Sequence, residues 1–398
     1  MQHEIDKNMH FETNLLNAGS HTKFIATNPE SLPIHLTTAH NVEDLDDLEH
    51  RYEVGGFCYN RSKNPNRTAL IELMSYLEGG EDAIICASGM SAISTPMITL
   101  IQKGDHILSD KTLYNETLEI STLILSKFGV ETTFIDFTDL EEVKKSVRPN
   151  TKLFYCETVT NPIMTVPDLK AIADIAHENK AIFMVDNTFM TGALVKPIEL
   201  GADLVACSLT KFANGHSDAV CGALVGKKDL IAKSLVIQKI IGTQVDPFTS
   251  WLSCRGIRTL DLRIKKQCSN AFALAHALEK SPYVKDVYYP GLESSPSYAV
   301  AKKEFGEYFG GMLSIELPED RKKLNAFIRN LKLVRYAMTL GGFRTTIAYP
   351  TLSSHSGLTK AERQAMGISD GLIRVSVGIE NEEDLLKDFL GALEKAYK

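Results

Sequence analysis

The 398-residue chain is long enough for a full hydrophobic core and for two or more domains. Its net charge of −7 and its scattered basic residues predict no binding surface for nucleic acid or for an acidic membrane. Apolar runs fall short of the ~20 residues that a membrane span needs, and residues 1–7 lack the pattern of a signal peptide. The seven dispersed cysteines have no zinc-ligand spacing, so we expect reduced core thiols, a cytoplasmic location and no metal site.

Residues 1–62 are polar and irregular, and we expect them to form an arm that is either disordered or docked onto another surface. The arm ends in a turn-rich segment that holds Tyr59 and Arg61. Taken by pattern alone, that segment is equally well explained as a surface loop that leads into a helix.

Strand and helix signals alternate from residue 67 onward, which predicts an α/β fold with a mainly parallel sheet and helices on both faces. We expect strands over 83–86, 106–108, 132–135, 153–156, 181–186 and 202–207, with helices over 67–78, after 91, over 118–128 and over 167–179. A helical region over 228–278 then leads into a smaller domain, with strands near 286–289, 312–316 and 372–377 and helices over 319–330 and 381–396. These elements suggest a large domain over residues 63–254 and a C-terminal domain over 255–398.

Polar side chains gather where two predicted strands end. Asp186 closes one strand, and Ser208, Thr210 and Lys211 follow the next strand along the chain. Because the carboxyl ends of neighbouring parallel strands project into one crevice, we expect these side chains to lie close together. A lysine can form an imine, an acid can hold a pyridine nitrogen protonated, and hydroxyls can bind phosphate. The pattern therefore predicts a site for pyridoxal 5'-phosphate.

Other residues point to the same crevice. A turn that contains Gly89 and Met90 joins a strand to a helix, and its free N–H groups form a natural phosphate site. Three further polar residues follow predicted strands: Tyr114, Glu157 and Asn161. Arg374 stands inside an apolar strand, where it needs an anionic partner. That partner is either a protein carboxylate or the α-carboxylate of a substrate, which the planar guanidinium matches well.

Residues 208–216 (SLTKFANGH), preceded by residues 185–188 (VDNT), strongly resemble the lysine signature of the Cys/Met-metabolism (trans-sulfuration) family. The family includes methionine and cystathionine γ-lyases, cystathionine γ-synthase, cystathionine β-lyase and O-acylhomoserine sulfhydrylases. The resemblance covers residues 17–384. It implies the fold-type I architecture of pyridoxal-phosphate-dependent transferases, with a mainly parallel seven-stranded sheet flanked by helices and a smaller α+β C-terminal domain.

The resemblance also implies roles for individual residues. Lys211 would bind the cofactor as a Schiff base and move protons, Asp186 would pair with the pyridine nitrogen, and Tyr114 would stack on the ring and assist the leaving group. The other residues that would contact the cofactor in the same chain are Gly89, Met90, Ser208, Thr210 and Thr188. Arg374 would bind the substrate carboxylate, with Asn161 and Thr339 nearby.

The same resemblance implies a role for the arm over residues 1–62. Tyr59 and Arg61 belong to a Tyr-x-Arg-x-x-Asn-Pro motif that resembles the pair reaching the cofactor phosphate of a neighbouring subunit. That resemblance implies a homotetramer built of two dimers, in which the arm contributes to the neighbouring site.

Two motifs depart from the family pattern at positions that line the outer substrate pocket in relatives. Tyr114 is followed by Asn115, Glu116 and Thr117, where relatives have Gly-Gly-Thr or Gly-Cys-Thr. The motif that begins at Thr339 has Arg344 where relatives have an acid. Either the changes are neutral, with Glu116 and Arg344 facing each other, or Glu116 contacts an unusual polar or cationic leaving group.

The expected activity is α,γ-elimination from an amino acid of the methionine, cystathionine or homocysteine type, giving a 2-oxo acid, ammonia and the leaving group. Within the family, γ-replacement and β-elimination remain as alternatives. A catalytically inactive binding module is disfavoured, because the lysine, the aspartate and both arginines of the motifs are intact. A nicotinamide-dependent Rossmann enzyme is disfavoured as well, since no Gly-x-Gly-x-x-Gly follows the first strand.

Overall fold

The computed structural model describes residues 8–19 and 29–398. The predicted arm therefore lies partly outside the described residues, at 1–7 and 20–28. Its described part contains two helices, α1 (Phe11–Asn17) and α2 (Leu45–Glu53). Helix α1 docks on its own chain, because Leu15 is buried and Arg258 donates hydrogen bonds to the carbonyl oxygens of Leu15 (3.0 Å) and Ala18 (2.9 Å).

The larger of two sheets has seven strands in the spatial order β1-β7-β6-β5-β4-β2-β3. Their bounds are β1 (Asp82–Cys86), β2 (His106–Asp110), β3 (Glu131–Ile135), β4 (Thr151–Glu157), β5 (Ile182–Asp186), β6 (Leu204–Ser208) and β7 (Gly222–Gly226). Strands β6, β5, β4, β2 and β3 pair in parallel, whereas β7 is antiparallel to both β1 and β6. The predicted fold class, with a mainly parallel seven-stranded sheet, is confirmed.

Helices cover both faces of this sheet. They are α3 (Pro65–Glu78), α4 (Gly89–Leu100), α5 (Asn115–Glu119), α6 (Leu140–Ser146), α7 (Leu169–Glu178), α8 (Thr191–Leu194), α9 (Lys228–Ile241) and α10 (Pro247–Ile257). Successive side chains along a strand point to opposite faces, so on β5 Phe183 and Val185 enter one hydrophobic core and Met184 enters the other. The first core includes residues of α3 and α7, and the second includes residues of α4 and α9. This double burial explains the continuous apolar runs in the sequence.

Some predicted elements have different limits in the structure. The helix expected over 118–128 is α5 followed by a π-helical turn (Ile120–Ile124) and a 3₁₀ turn (Leu125–Phe128). The region expected to be helical over 228–278 contains three helices, because Gly242 adopts a φ of 82° and Pro247 begins the next helix. Strand β7 was not predicted. It begins at Gly222, where an added Cβ would lie 2.1 Å from the carbonyl oxygen of Ser88.

The smaller sheet has five strands in the order β10-β11-β12-β9-β8, and it confirms the predicted α+β C-terminal part. Its strands are β8 (Asp286–Tyr288), β9 (Met312–Glu316), β10 (Arg335–Tyr336), β11 (Thr346–Ala348) and β12 (Leu372–Ser376). Its helices are α11 (Leu260–Glu279), α12 (Tyr298–Phe305), α13 (Arg321–Asn330), α14 (Lys360–Ala365) and α15 (Glu382–Tyr397), with a 3₁₀ turn at Pro350–Leu352. The predicted domain boundary at 254–255 falls within α10. Within the described ranges, no helix is long and apolar enough to cross a membrane.

Candidate active site

A cavity of about 350 Å³ lies at the carboxyl ends of β4, β5 and β6 and is also lined by the segment 338–340, by residues 353–354 and by β12. All of the predicted site residues line it except Tyr59 and Arg61. Those that do are Gly89, Met90, Tyr114, Glu116, Asn161, Asp186, Thr188, Ser208, Thr210, Lys211, Thr339 and Arg374. Residues predicted from several distant strand ends therefore meet in one place, as the parallel sheet requires.

Lys211 lies in the loop that follows β6, and its backbone is tightly fixed. Its N–H donates to the carbonyl oxygen of Ser208 (3.2 Å), and its own carbonyl oxygen accepts from the N–H of Gly215 (2.8 Å). Gly341 packs directly on this loop, since an added Cβ there would lie 2.9 Å from the Lys211 Cα. Burial, together with the positive charge of Arg374, lowers the pKa of Lys211. A larger fraction of its amine is therefore neutral, and the neutral amine is the form that acts as nucleophile or base.

Two carboxylates lie side by side at the inner end of the cavity. Glu157 and Asp186 are paired across β4 and β5, and both are less than a tenth exposed. Oε1 of Glu157 accepts from the Tyr114 N–H (2.7 Å), and Oδ1 of Asp186 accepts from the Thr188 N–H (2.8 Å). Burial raises the pKa of both acids, and the charge of Asp186 raises the pKa of Glu157 further. No lysine, arginine or histidine among residues 8–19 and 29–398 pairs with either acid, so a cationic ring nitrogen would be a favourable neighbour.

The amino end of α4 forms a second part of the cavity. The Ser88 hydroxyl caps this helix by accepting from the Ser91 N–H (3.1 Å), whereas the first N–H groups of a helix have no partner within it. A Cβ added at Gly89 would lie 2.6 Å from Cβ of Ser208, so only glycine allows β6 to approach this closely. The Ser208 N–H in turn donates to the Thr188 hydroxyl (2.8 Å). Free N–H groups beside a serine hydroxyl can hold a phosphate.

The Thr210 hydroxyl is less available than the sequence suggested. It accepts from the Cys221 N–H (3.1 Å) and donates to the Cys221 carbonyl oxygen (3.3 Å). Thr210 thus joins the segment after β6 to the start of β7 while still lining the cavity. One lone pair of its oxygen remains for a ligand.

Arg374 lies on β12 and is 6% exposed. Its Nη1 donates to Oδ1 of Asn161 (3.0 Å), and burial lowers its pKa to about 10. No described carboxylate lies within ion-pair distance of the guanidinium. Of the two partners considered from the sequence, a protein carboxylate is therefore excluded in the described chain, and the remaining N–H groups are available to an anionic ligand.

Glu116 lines the cavity close to Tyr114, and the two residues lie two positions apart at the start of α5. Burial and the nearby Glu116 carboxylate raise the pKa of Tyr114, so the phenol remains protonated at neutral pH. Arg344 does not face Glu116. It is exposed, its guanidinium lies 5.1 Å from the centre of the Phe343 ring, and it lies outside the cavity. The suggestion that the two residues form a compensating pair is therefore wrong within the chain.

Tyr59 and Arg61 lie outside this cavity. Tyr59 is 47% exposed, and the Arg61 guanidinium carbon lies 5.5 Å from the centre of its ring. Arg61 Nη1 donates to the carbonyl oxygen of Lys239 (2.7 Å) on α9. The pair thus forms an exposed feature of the surface.

Several residues that line the cavity were not predicted from the sequence. They include Val220, Met338, Ser353 and Ser354. Ser353 and Ser354 belong to a loop whose sequence has no periodic pattern. Nothing in the sequence predicts that this loop lies in the same cavity as the residues that follow β6. The run of serines shortly before the strand that carries Arg374 was the only available signal.

The chain was compared with known proteins. A family model described as Cys/Met metabolism PLP-dependent enzyme matches residues 12–394. The chain belongs to this family. It is a pyridoxal-5'-phosphate-dependent enzyme of the carbon–sulfur lyase, or trans-sulfuration, group. The resemblance inferred from the motifs is thereby confirmed.

Relatives with different reactions match the chain about equally well. An L-methionine gamma-lyase of Fusobacterium nucleatum is 40% identical over 92% of this chain and 93% of its own length. The cystathionine beta-lyase MetC of Bacillus subtilis is 41% identical, covering 86% of this chain and 87% of its own. A crystal structure of cystathionine gamma synthase from Xanthomonas oryzae in complex with cystathionine superposes with a TM-score of 0.92 at 34% identity, covering 98% of each chain. The family is settled, and the reaction within it is not.

The geometry of Arg374 yields a test of substrate binding. We propose that Arg374 binds the α-carboxylate of an amino-acid substrate with two parallel hydrogen bonds, which a lysine cannot form. Arg374→Lys should raise KM about tenfold to a hundredfold, because one charged hydrogen bond is worth ~1.5–3 kcal/mol, with a smaller effect on kcat. The matched control is Arg344→Lys, which changes an exposed arginine outside the cavity and should leave KM as it is. Equal KM values for all three proteins would contradict the assignment.

Proposed function

We propose that the enzyme catalyses α,γ-elimination from an amino acid with a leaving group on Cγ, of the methionine, cystathionine or homocysteine type. The products would be a 2-oxo acid, ammonia and the released group. The observation that carries the proposal is the half-buried Lys211, whose amine of lowered pKa shares a cavity with Tyr114 and Arg374. The reaction needs two successive proton removals and a proton for the leaving group. Lys211 can act as the base and Tyr114 as the acid while Arg374 holds the substrate.

The residues around the cavity suit pyridoxal phosphate. We propose that Lys211 carries it, that Asp186 stabilises its protonated ring nitrogen and that Tyr114 stacks on the ring. The other residues that would hold it are Gly89, Met90, Thr188, Ser208 and Thr210. When bound, pyridoxal phosphate supplies an electron sink that makes the protons near the amino group of the substrate acidic.

Side chains of the protein would carry out the proton transfers. Arg374 and Asn161, with Thr339, would fix the substrate carboxylate in the cavity that Lys211 also lines. The amine of Lys211, free once the amino group of the substrate has taken its place, would remove the proton from Cα and then pass that proton on. Neutral again, the same amine would remove a proton from Cβ. Tyr114, which remains protonated because its pKa is raised, would give its proton to the departing group.

Two other reactions would use the same residues. In γ-replacement a thiol or another nucleophile adds at Cγ after the leaving group departs, and in β-elimination only the first proton removal is needed. The similarity to a cystathionine gamma synthase and to a cystathionine beta-lyase supports keeping both as second candidates.

A substrate panel separates these candidates. The holoenzyme would be given methionine, homocysteine, cystathionine, cysteine, O-acetylhomoserine, O-succinylhomoserine and canavanine, each with and without an added thiol. We expect 2-oxobutyrate without thiol, at the highest rate from a γ-substituted substrate. If release of 2-oxo acid is negligible but a thioether forms when thiol is added, the reaction is γ-replacement. If cystathionine yields pyruvate instead of 2-oxobutyrate, the reaction is β-elimination.

We also propose that the enzyme works as a homotetramer, with the arm over residues 1–62 reaching a neighbouring subunit. The support is the family motif around Tyr59 and Arg61, together with their exposure outside the cavity of their own chain.

The cytoplasm is the proposed location, because all seven cysteines are free thiols and a reducing compartment keeps them so. Recovery of the enzyme in a secreted or periplasmic fraction would contradict that location.

Subunit complementation tests the role of Arg61. Arg61→Ala and Lys211→Ala proteins should each be nearly inactive alone. If Arg61 acts in the neighbouring site, hybrids of the two should regain activity, with about a quarter of the sites intact after random pairing within dimers. Hybrids of Lys211→Ala with Arg374→Ala, whose changes lie in one cavity, serve as the control and should regain none through exchange of the arm. No recovery in the first mixture, with hybrid formation verified by mass, would contradict a role across subunits.

A further inference from the structure

The charged side chains of the cavity are unevenly distributed. They are Glu116, Glu157, Asp186, Lys211 and Arg374. Glu157 and Asp186 lie at the buried inner end, where each accepts a hydrogen bond from a backbone N–H. Arg374 supplies the positive charge that would bind the substrate carboxylate, and Lys211 supplies the amine that would act as the base. Glu116 remains as a carboxylate at the exposed outer end, and the proposed reaction gives it no task.

Glu116 forms no ion pair among the described residues, although its negative charge acts on Lys211 and opposes the lowering of the Lys211 pKa. Its neighbour Asn115 donates to Glu119 (2.9 Å) instead, and Arg344 lies on the Phe343 ring. The contact that Glu116 does make is with Tyr114, the residue proposed to protonate the leaving group. A carboxylate in this position is therefore near the part of a substrate that departs.

The cavity lining beside α5 contains groups that accept hydrogen bonds. The loop with Ser353 and Ser354 passes beside α5, because a Cβ added at Gly357 would lie 4.0 Å from Nδ2 of Asn115. Both serines line the cavity, as does Met338. Hydroxyl oxygens and a polarizable sulfur are compatible with a positive group, and the lining offers no second cation at this end.

We infer that the outer end of the cavity selects a leaving group that carries a positive charge, an ammonium or a guanidinium, and that the Glu116 carboxylate recognises it. A cation there would form a charge-assisted hydrogen bond with Glu116, whereas an anionic group would be repelled. The part of this inference that concerns a leaving group rests on the proposed γ-elimination. The order of binding affinities does not depend on that reaction.

The chemistry balances without any further reagent. For a γ-thioether the Cγ–S bond breaks, its electron pair stays on sulfur, and the sulfur takes up a proton to leave as a thiol. One water supplies the oxygen of 2-oxobutyrate, and the nitrogen leaves as ammonium. The positive group is attached to the departing thiol and is unchanged by the reaction.

A series of three substrates isolates the charge. S-propyl-, S-(2-aminoethyl)- and S-(carboxymethyl)-homocysteine have the same Cγ–S bond and similar size, with a neutral, a positive and a negative end. On the holoenzyme we expect kcat/KM, from 2-oxobutyrate release, to be about tenfold to a hundredfold higher for aminoethyl than for propyl, and lowest for carboxymethyl. Equal values for the aminoethyl and propyl compounds would overturn the inference.

Variants assign the preference to a residue. Glu116→Gln keeps the size and removes the charge, so the ratio of aminoethyl to propyl kcat/KM should fall about tenfold. Glu119→Gln removes an acid from the same short helix but outside the cavity, and it should preserve the wild-type ratio. If Glu116→Gln preserves the ratio as well, Glu116 is not the recognising residue and the inference fails.

The same series distinguishes failure of this inference from failure of the proposed function. If none of the three compounds releases 2-oxobutyrate, γ-elimination is wrong. Dissociation constants from the absorbance change of the holoenzyme then decide the inference by themselves. Tighter binding of the aminoethyl compound that is lost in Glu116→Gln would support it, and equal binding of all three would overturn it.

Discussion

The site depends on buried charges that the chain leaves without partners of opposite charge. Asp186 and Glu157 are adjacent acids at the ends of β5 and β4, and Arg374 is a buried cation whose observed partner is the Asn161 amide. An unpaired buried charge costs several kcal/mol, so burial raises the pKa of both acids and lowers the pKa of Arg374, and a ligand of opposite charge can favour the ionised forms. A protonated ring nitrogen beside the acids and a carboxylate beside the arginine would both reduce that cost. The same unpaired ionisable groups would thus serve both in binding the ligands and in catalysis.

The backbone holds these charges in place through close contacts that exclude side chains. Gly89 lets the start of α4 approach Ser208, and Gly341 lets the segment before β11 pack on the Lys211 loop. A methyl group at either position would push apart the elements that form the cavity, because both contacts are shorter than any real Cβ contact. The glycines therefore set how closely α4 approaches β6 and how closely the segment before β11 approaches the Lys211 loop.

Local patterns predicted most of the large sheet and most of the cavity. Asp186 and Lys211 could be placed together because each follows an apolar strand, and parallel strands bring such ends to one edge. Strand β7 could not be predicted, since it is short, bounded by glycines and fixed by packing on Ser88. Ser353 and Ser354 were missed for a related reason. Their place in the cavity results from contacts between distant segments, which leave no periodic signal.

The central claim is that Lys211 holds the cofactor, and the attachment can be measured directly. The holoenzyme would be reduced with borohydride, digested and analysed by mass spectrometry, with the Lys211→Ala and Lys233→Ala proteins treated in parallel. Lys233 is a surface lysine on α9 and provides the control. We predict that the cofactor mass appears on the peptide that contains Lys211 in the wild type and in Lys233→Ala, and on no peptide of Lys211→Ala. A cofactor mass on a different lysine of the wild type would contradict the account.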